Sequence, residues 1–180
     1  MLLLSTYIVI MRRIYLLILT LSLTGCISIP PGIEPVADFE INRYLGKWYE
    51  IARIENSFEK DMHHVTAEYL LREDGGVDVI NQGYLGESKE PKVAKGKAYF
   101  VGPSDSGHLK VSFFGPFYGS YVIFELDHAQ YNYSYVTSND RDYLWFLSRS
   151  PVVTEKQKQE FISKVSTLGF DLENLIFVPQ

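Results

Sequence analysis

From residue 46 to residue 148, apolar and polar side chains alternate in short runs, a pattern that is typical of half-buried β-strands. Segments rich in glycine, proline, asparagine or aspartate separate most of the runs. The eight runs are residues 46–54, 65–72, 77–84, 93–101, 109–114, 121–126, 131–137 and 143–148. Their near-regular spacing predicts an all-β fold, an eight-stranded antiparallel up-and-down barrel that closes on itself.

One clear α-helix is predicted after the last of these strands. Thr154 and Gln157 stand three residues apart, the spacing of a capping box at a helix start. The apolar residues that follow recur at helical spacing: Phe161, Ile162, Val165 and Leu168. Gly169 suits the C-terminal cap, and residues 176–178 could add a last short strand. We expect this C-terminal helix to pack against the outside of the barrel.

Two short motifs mark the ends of the strand region. Gly46-Lys47-Trp48 opens the first strand, and Ser148-Arg149-Ser150-Pro151 ends the last. A resemblance to a known family rests on residues 46–53, 74–76, 79–81, 111–119, 140–145 and 147–149, of which 111–119 and 140–149 are the long and specific parts. In these runs the chain resembles a bacterial lipocalin, close to the outer-membrane lipoprotein lipocalins. The family's middle Asp-Tyr signature is weaker, because Asp127 is followed by His128.

The resemblance implies a lipocalin barrel whose base is closed by the Arg149 guanidinium lying on the Trp48 indole, with a cavity for one small ligand. It also implies the ligands: fatty acids such as palmitate, phospholipids and especially lysophospholipids. The implied role is to store or transport these lipids for membrane maintenance under stress. We therefore expect a binding protein; the alternative is an enzyme that acts on a lipophilic ligand in the barrel.

The ligand pocket is predicted from the alternation of side chains along each strand. The inward position of Trp48 would put Glu50 and Ala52 inside as well. In the other strands we assign the more apolar set to the interior, although residues 121–126 are apolar on both sides. The predicted pocket is Ala52, Ala67, Tyr69, Val79, Ala98, Val111, Phe113, Tyr121, Ile123 and Trp145. Small residues, among them Gly96, should leave an apolar cavity; a packed core is the alternative.

The loops at the end opposite Trp48 should form the mouth of the barrel. Phe58, Phe117 and Tyr118 are expected to line this mouth. Arg141 lies in the last of these loops, where it could bind the charged headgroup of an amphiphile. An ion pair between Arg141 and a flanking aspartate is an equally good interpretation.

The N-terminal 25 residues predict a signal peptide. Arg12 and Arg13 form a short basic region. The apolar run of residues 14–23 is too short to span a membrane as a helix. Because residues 1–10 contain no basic residue, we expect translation to begin at Met11.

The signal peptide ends in Leu23-Thr24-Gly25-Cys26, which resembles the bacterial lipobox. This resemblance implies cleavage before Cys26 and acyl chains on that cysteine, which anchor the protein in a membrane. Ile27 stands where an aspartate would favour inner-membrane retention, so in a Gram-negative host we expect the periplasmic face of the outer membrane. Residues 26–37 would be the lipidated N-terminus and a tether, and residues 38–180 the folded domain.

Charge and residue content argue against several function classes. The net charge of −5 becomes −7 when signal cleavage removes two arginines and no acidic residue, which argues against nucleic-acid binding. Cys26 is the only cysteine, so the mature domain has no disulfide bond and no thiol nucleophile. His63 and His64 would point to opposite faces of a strand, so we expect no metal site and no cofactor. The oligomeric state stays open, and a homodimer is compatible with the sequence.

No catalytic residues are predicted in the pocket. Paired acids or a nucleophile do not converge there, which disfavours the enzyme alternative. Glu50 is an acid near the base of the barrel without an evident catalytic partner. We expect its carboxylate to hydrogen-bond the short helical turn predicted at residues 39–45.

Overall fold

The computed structural model of this protein describes residues 27–180, so the predicted signal peptide, the Met11 start and Cys26 lie outside the described residues. Within 27–180 the strands are β1 (Gly46–Ile54), β2 (Met62–Leu71), β3 (Val77–Leu85), β4 (Lys92–Phe100), β5 (His108–Ser112), β6 (Gly119–Leu126), β7 (Tyr133–Thr137), β8 (Leu144–Ser148) and β9 (Leu175–Phe177). The helices are α1 (Ile41–Tyr44) and α2 (Glu155–Thr167). Neither is long and apolar enough to cross a membrane.

Strands β1 to β8 form a closed barrel. Each strand pairs antiparallel with the next, and β8 returns to pair with β1. The predicted eight-stranded up-and-down barrel is therefore confirmed. β2 pairs with residues 46–49 of β1, whereas β9 pairs with residues 52–54. β1 thus exchanges one neighbour half-way along its length, and β9 lies outside the closed barrel.

The strand boundaries differ from the predicted ones by at most three residues. The largest difference is at β2, which begins at Met62 instead of residue 65. The register of β2 against β3 shifts between His63 and Thr66, and Met62 pairs with Leu85 before this shift. This bulge interrupts the alternation of side chains, so the pattern of apolar residues shows only the part of β2 that follows it.

Buried apolar side chains form two groups on the two sides of the barrel wall. The interior cluster is Phe39, Tyr44, Trp48, Ala67, Tyr69, Val77, Val79, Ala98, Leu109, Ile123, Leu126, Tyr131, Val136 and Leu147. The outer cluster is Ile33, Ile51, Ala52, Ile54, Val122, Phe124, Tyr135, Leu144, Phe146, Phe161, Val165 and Phe170. Helix α2 covers the outer cluster, so strands on this side of the barrel are apolar on both faces.

Helix α2 begins with the predicted capping box. The Thr154 hydroxyl accepts from the Gln157 backbone N–H at 3.2 Å, and the Gln157 side chain accepts from the Thr154 N–H at 2.9 Å. Phe161 and Val165 are fully buried on the face that meets the barrel. Gly169 follows the helix with a φ of 78°, in the left-handed region that favours glycine.

The N-terminal segment of the described chain, where the sequence predicted a tether, lies against the barrel. The Val36 N–H donates to the Ile123 carbonyl, and the Gly107 N–H donates to the Val36 carbonyl, both at 2.8 Å. Ile33 is buried in the outer cluster. The Ser120 hydroxyl donates to the Ser28 carbonyl at 2.7 Å. These contacts fix residues 28–37 to the barrel wall.

Candidate functional site

Trp48 and Arg149 close one end of the barrel. The Trp48 indole is fully buried, and the Arg149 guanidinium carbon lies 3.9 Å from its ring centroid. Arg149 donates to the carbonyls of Arg43, Leu45 and Lys47 at 2.8–2.9 Å. The single guanidinium therefore ties α1 and the start of β1 to the end of β8, which is the arrangement that the two terminal motifs implied.

Gly46 allows the chain to turn from α1 into β1 at this closed end. Its φ is 88°, a conformation that L side chains rarely adopt. A Cβ atom there would stand 3.7 Å from Arg149 Nη1. The glycine of the Gly-x-Trp motif is thus required by the backbone turn and not by ligand binding.

Three tyrosine hydroxyls meet inside the barrel, above this closed end. Tyr121 Oη lies 2.9 Å from Tyr44 Oη and 2.6 Å from Tyr69 Oη, and Tyr44 Oη also lies 3.2 Å from Ser134 Oγ. Burial raises the pKa of Tyr44 to about 12, so its hydroxyl is neutral at physiological pH. The interior is therefore not the wholly apolar cavity that the sequence predicted.

A β-bulge in β1 overturns the predicted orientation of Ala52. Glu50 pairs with Leu147 of β8, but the next pairing joins Ala52 to Phe146, so one residue of β1 is extra. Beyond the bulge the faces are exchanged. Ala52 packs in the outer cluster and is not a pocket residue, whereas Arg53 is fully buried on the other side of the strand.

Arg53 is the centre of a buried polar network. Its Nη1 donates to Glu50 Oε1 at 2.8 Å, and its Nη2 donates to the Glu59 carbonyl at 2.6 Å and to Glu55 Oε2 at 3.2 Å. The Trp145 Nε1–H donates to Glu59 Oε2 at 3.0 Å. The network joins β1 and β8 to the β1–β2 loop at the mouth of the barrel.

Glu50 belongs to this network and does not hydrogen-bond α1, contrary to expectation. The residue is 3% exposed, and its carboxylate ion-pairs with Arg53. Burial raises the pKa of Glu50 well above its usual range, and the nearby negative charge of Glu59 adds to this effect. The Arg53 guanidinium lowers the pKa of Glu50, but by less than burial raises it.

The other predicted pocket residues lie on the interior side of the wall. Ala67, Tyr69, Val79, Ala98 and Ile123 belong to the interior cluster. Val111, Phe113, Tyr121 and Trp145 are partly buried and pack against it. Whether these residues contact a ligand stays a prediction.

The interior is well filled in the half near the Trp48 end. A void there, bounded by residues that include Phe39, Tyr44 and Tyr121, has a volume of about 10 Å³, room for about one water molecule. Gly96 does not provide space for a ligand, because a Cβ on it would lie 2.9 Å from the Phe113 ring. The small residue accommodates the phenylalanine.

The predicted mouth residues separate into two groups. Phe58 and Phe117 are 68% and 74% exposed in the loops opposite the Trp48 end. Tyr118 instead lies on the outer wall, where its ring packs edge-on against Tyr99 and under the Lys110 ammonium. Tyr99 and Lys110 alternate with interior residues along their strands, so the face that Tyr118 covers points away from the cavity.

Arg141 holds the N-terminal segment and the end of α2 together, and neither interpretation made from the sequence is correct. Its Nε donates to the Leu168 carbonyl at 2.8 Å, and its Nη2 donates to the Pro31 carbonyl. Its guanidinium also lies 5.9 Å from the Phe170 ring centroid. Arg141 makes no ion pair within residues 27–180 and does not face the mouth.

Replacing Arg141 by alanine is expected to lower the free energy of unfolding by about 1–2 kcal/mol, because two carbonyls lose their donor. Lipid affinity should stay unchanged. Urea unfolding and a lipid titration of the same variant would measure both. A large loss of affinity with unchanged stability would restore the headgroup role.

His63 and His64 touch each other, contrary to the prediction that they face opposite sides. His64 has a φ of 50°, and the two Nδ1 atoms lie 2.6 Å apart. His63 Nε2 also contacts the Gly86 carbonyl at 2.7 Å. Across residues 27–180, no three His, Cys, Asp or Glu side chains are grouped in a way that could hold a metal ion.

Two buried polar atoms on the interior side have no hydrogen-bond partner within the described chain: Arg53 Nε and Asn81 Oδ1. Asn81 alternates with Val77 and Val79 of the interior cluster, so it points inward. A buried donor or acceptor that stays unpaired costs about 1–3 kcal/mol. Asn81 has the same parity as the predicted pocket residue Val79, whereas nothing in the sequence revealed Arg53.

Comparisons with known proteins agree with this architecture. The family model described as "Lipocalin-like domain" matches residues 39–180. The chain is 52% identical over 170 residues to the outer membrane lipoprotein Blc of Vibrio cholerae, covering 94% of this chain and 99% of that protein. It is 47% identical over 151 residues to the Escherichia coli K12 protein of the same name, covering 84% and 85%. Temperature-induced lipocalin-1 of Arabidopsis thaliana is 31% identical over 157 residues, covering 82% and 83%.

Solved structures with low sequence identity share the fold. Insecticyanin from Manduca sexta superposes with a TM-score of 0.65 at 20% identity, covering 85% of this chain and 87% of that one. The cockroach allergen Per a 4 also gives 0.65, at 21% identity, covering 85% and 95%. The curated relatives are named as lipoproteins and a lipocalin, and none of these names is that of an enzyme.

Proposed function

Because this chain belongs to the lipocalin family and resembles outer-membrane lipoproteins along most of its length, we propose that it binds lipids at the outer membrane, with lysophospholipids preferred over fatty acids. The protein stores or transports these lipids and so helps to maintain the membrane under stress. Its attachment is through acyl chains on Cys26, at the periplasmic face of the outer membrane.

The observation that carries this proposal is the pair of unpartnered interior atoms, Arg53 Nε and Asn81 Oδ1. A lysophospholipid offers a complement to both. Its phosphate oxygens accept hydrogen bonds, which suits the guanidinium N–H, and its free glycerol hydroxyl donates one, which suits the amide oxygen. A fatty acid carboxylate has no donor for Asn81 when it is ionised.

The acyl tail requires an apolar surface that is not already sealed. Val111, Phe113 and Trp145 are apolar or aromatic, face the interior and remain partly accessible. The filled half near Trp48 leaves only about 10 Å³. Because a void of this size holds about one water molecule, an acyl tail has to lie above it, toward the mouth.

Calorimetric titration of the purified lipoprotein with lysophosphatidylethanolamine, and with a fatty acid of the same chain length, tests the proposal. Asn81→Ala should weaken lysophospholipid binding by about 5- to 10-fold, the worth of one hydrogen bond, and should hardly change fatty acid binding. The control is Gln82→Ala, one residue along on the other face of β3. Equal losses for both lipids, or for both variants, would contradict the proposed preference.

A further inference from the structure

We infer that the β5–β6 loop and the neighbouring outer face of β4 form a docking surface for a lipid bilayer. This docking surface consists of Phe114 and Phe117, the outward-facing Lys95 and Lys97 of β4, and Lys92 at the first position of that strand. It sets the mouth of the barrel against the leaflet that holds the lipid anchor. The inference rests on the proposed acylation of Cys26 and on the proposed lipid binding.

Phe114 and Phe117 are the first part of the observation. Their side chains are 73% and 74% exposed, although phenylalanine is usually buried. Neither ring stacks on another aromatic ring among the described residues. Two phenylalanines on one loop tip, which face water without a partner, are suited to entering the interface between lipid headgroups and acyl chains.

The path of the N-terminal segment indicates that the membrane covers this loop. The Ser28 carbonyl accepts from Ser120, which stands three residues after Phe117. Ser28 Oγ also lies 3.5 Å from the Asn139 carbonyl in the β7–β8 loop, at the same end of the barrel. Cys26 precedes Ser28 by two residues, or about 7 Å at full extension. The acyl chains would therefore emerge beside the exposed phenylalanines.

The segment that fixes this position is not a long spacer. Because residues 28–37 lie against the barrel wall, the anchor cannot swing freely around the domain. A short connection of this kind holds one end of the barrel near the bilayer. That end carries the mouth, since the Trp48 and Arg149 floor lies at the other.

The charge of the adjacent strand suits an anionic leaflet. Lys92, Lys95 and Lys97 are exposed, and none of them makes an ion pair within residues 27–180. Lys95 and Lys97 share the outward face of β4, because Gly96 and Ala98 face inward. A local row of lysines in a chain whose net charge is negative indicates attraction to acidic lipid headgroups.

The test uses the acylated full-length protein in vesicles of phosphatidylethanolamine and phosphatidylglycerol that carry brominated acyl chains. Phe117→Trp adds a fluorophore at the loop tip. The control is Val152→Trp, which is equally exposed, at 77%, in the segment that follows β8 at the closed end. We expect added fluorescence that is blue-shifted and quenched at least two-fold for Phe117→Trp, and unquenched for Val152→Trp. Equal quenching of the two, or quenching of neither, would overturn the inference.

A second comparison tests the lysines and a competing occupant. In phosphatidylglycerol vesicles at low salt, the double variant Lys95→Glu with Lys97→Glu should reduce the quenching of Phe117→Trp. At high salt the attraction between lysines and headgroups is screened, so the double variant should not change the quenching. If light scattering instead shows that Phe117 lies between two copies of the chain, with no quenching by lipid, the surface is a dimer interface and the inference fails. Mass spectrometry of lipid bound in the same preparation reports on the proposed function separately. Quenching without any bound lipid would refute that function alone.

Discussion

Replacing Arg53 by alanine is expected to lower the free energy of unfolding by about 3–5 kcal/mol. The guanidinium is fully buried, and its removal leaves the Glu50 carboxylate in the barrel without its ion-pair partner. The carbonyls of Glu59 and Met62 lose a donor at the same time. Urea unfolding followed by circular dichroism would measure the loss.

Two variants separate the buried pair from a general effect of losing an arginine. Arg72→Ala removes ion pairs with Asp74 and Asp78 on the surface, and a much smaller loss is expected. Arg53→Met combined with Glu50→Leu removes both charges and should recover a large part of the stability that Arg53→Ala loses. If Arg53→Ala is no worse than Arg72→Ala, the network does not hold the β1–β2 loop in place.

The pH dependence follows from the same residue pair. Because burial raises the folded-state pKa of Glu50 above its usual 4.5, the folded protein binds a proton that the unfolded chain has released. This group therefore favours folding at low pH, and its contribution falls as pH rises from about 4.5 through the raised pKa. Glu50→Gln should flatten that slope. The loss caused by Arg53→Ala should be smaller at pH 5 than at pH 8, since protonation removes the unpaired charge.

Replacing Arg149 by alanine is expected to lower the free energy of unfolding by about 2–4 kcal/mol, because charge-assisted hydrogen bonds and the cation–π contact are lost. Three carbonyls at the junction of α1 and β1 depend on this guanidinium. Lipid affinity should change little, because the floor lies far from the mouth. Thermal unfolding and the lysophosphatidylethanolamine titration of the variant would separate the two effects.

Arg149→Lys is the matched control for this floor. It keeps the positive charge over Trp48 but cannot donate to three carbonyls as the planar guanidinium does. We expect a melting temperature between those of the native protein and Arg149→Ala. If the alanine variant loses lipid binding and keeps its stability, Trp48 and Arg149 form part of the binding site and not the floor.

Much of the fold was predictable because its causes are local or carried by specific motifs. Alternating side chains located every strand of the barrel to within three residues. Thr154 and Gln157 located the start of α2, since a capping box requires only two residues at a fixed spacing. The Gly46-Lys47-Trp48 motif, together with Arg149, identified the closed end.

The predictions of side-chain orientation that were wrong lie where the alternation along a strand is interrupted. One extra residue in β1, between Glu50 and Ala52, moved Ala52 outside and Arg53 inside, and nothing in the alternating pattern marks such a bulge. A positive φ at His64 brought two histidine rings together in the same way. Alternation gives the face of a residue only where a strand is regular.

Contacts between residues far apart in the chain could not be predicted from the sequence either. The sequence predicted a tether at residues 26–37, but hydrogen bonds from Arg141 and Ser120 fix Pro31 and Ser28 of this segment to the barrel. Arg141 therefore has a structural role that its position in a mouth loop did not suggest. Such pairings join residues about a hundred positions apart, and a local pattern does not contain them.

Mass spectrometry of the lipids that co-purify with the native, acylated protein from its own membrane tests directly whether the barrel carries a lipid. We predict one intact class of phospholipid with a single acyl chain, at close to one molecule per barrel. Asn81→Ala should lower its amount, whereas Gln82→Ala should not. A protein that carries no lipid, or that converts added lysophospholipid into products, would contradict the claim that this barrel is a lipid carrier.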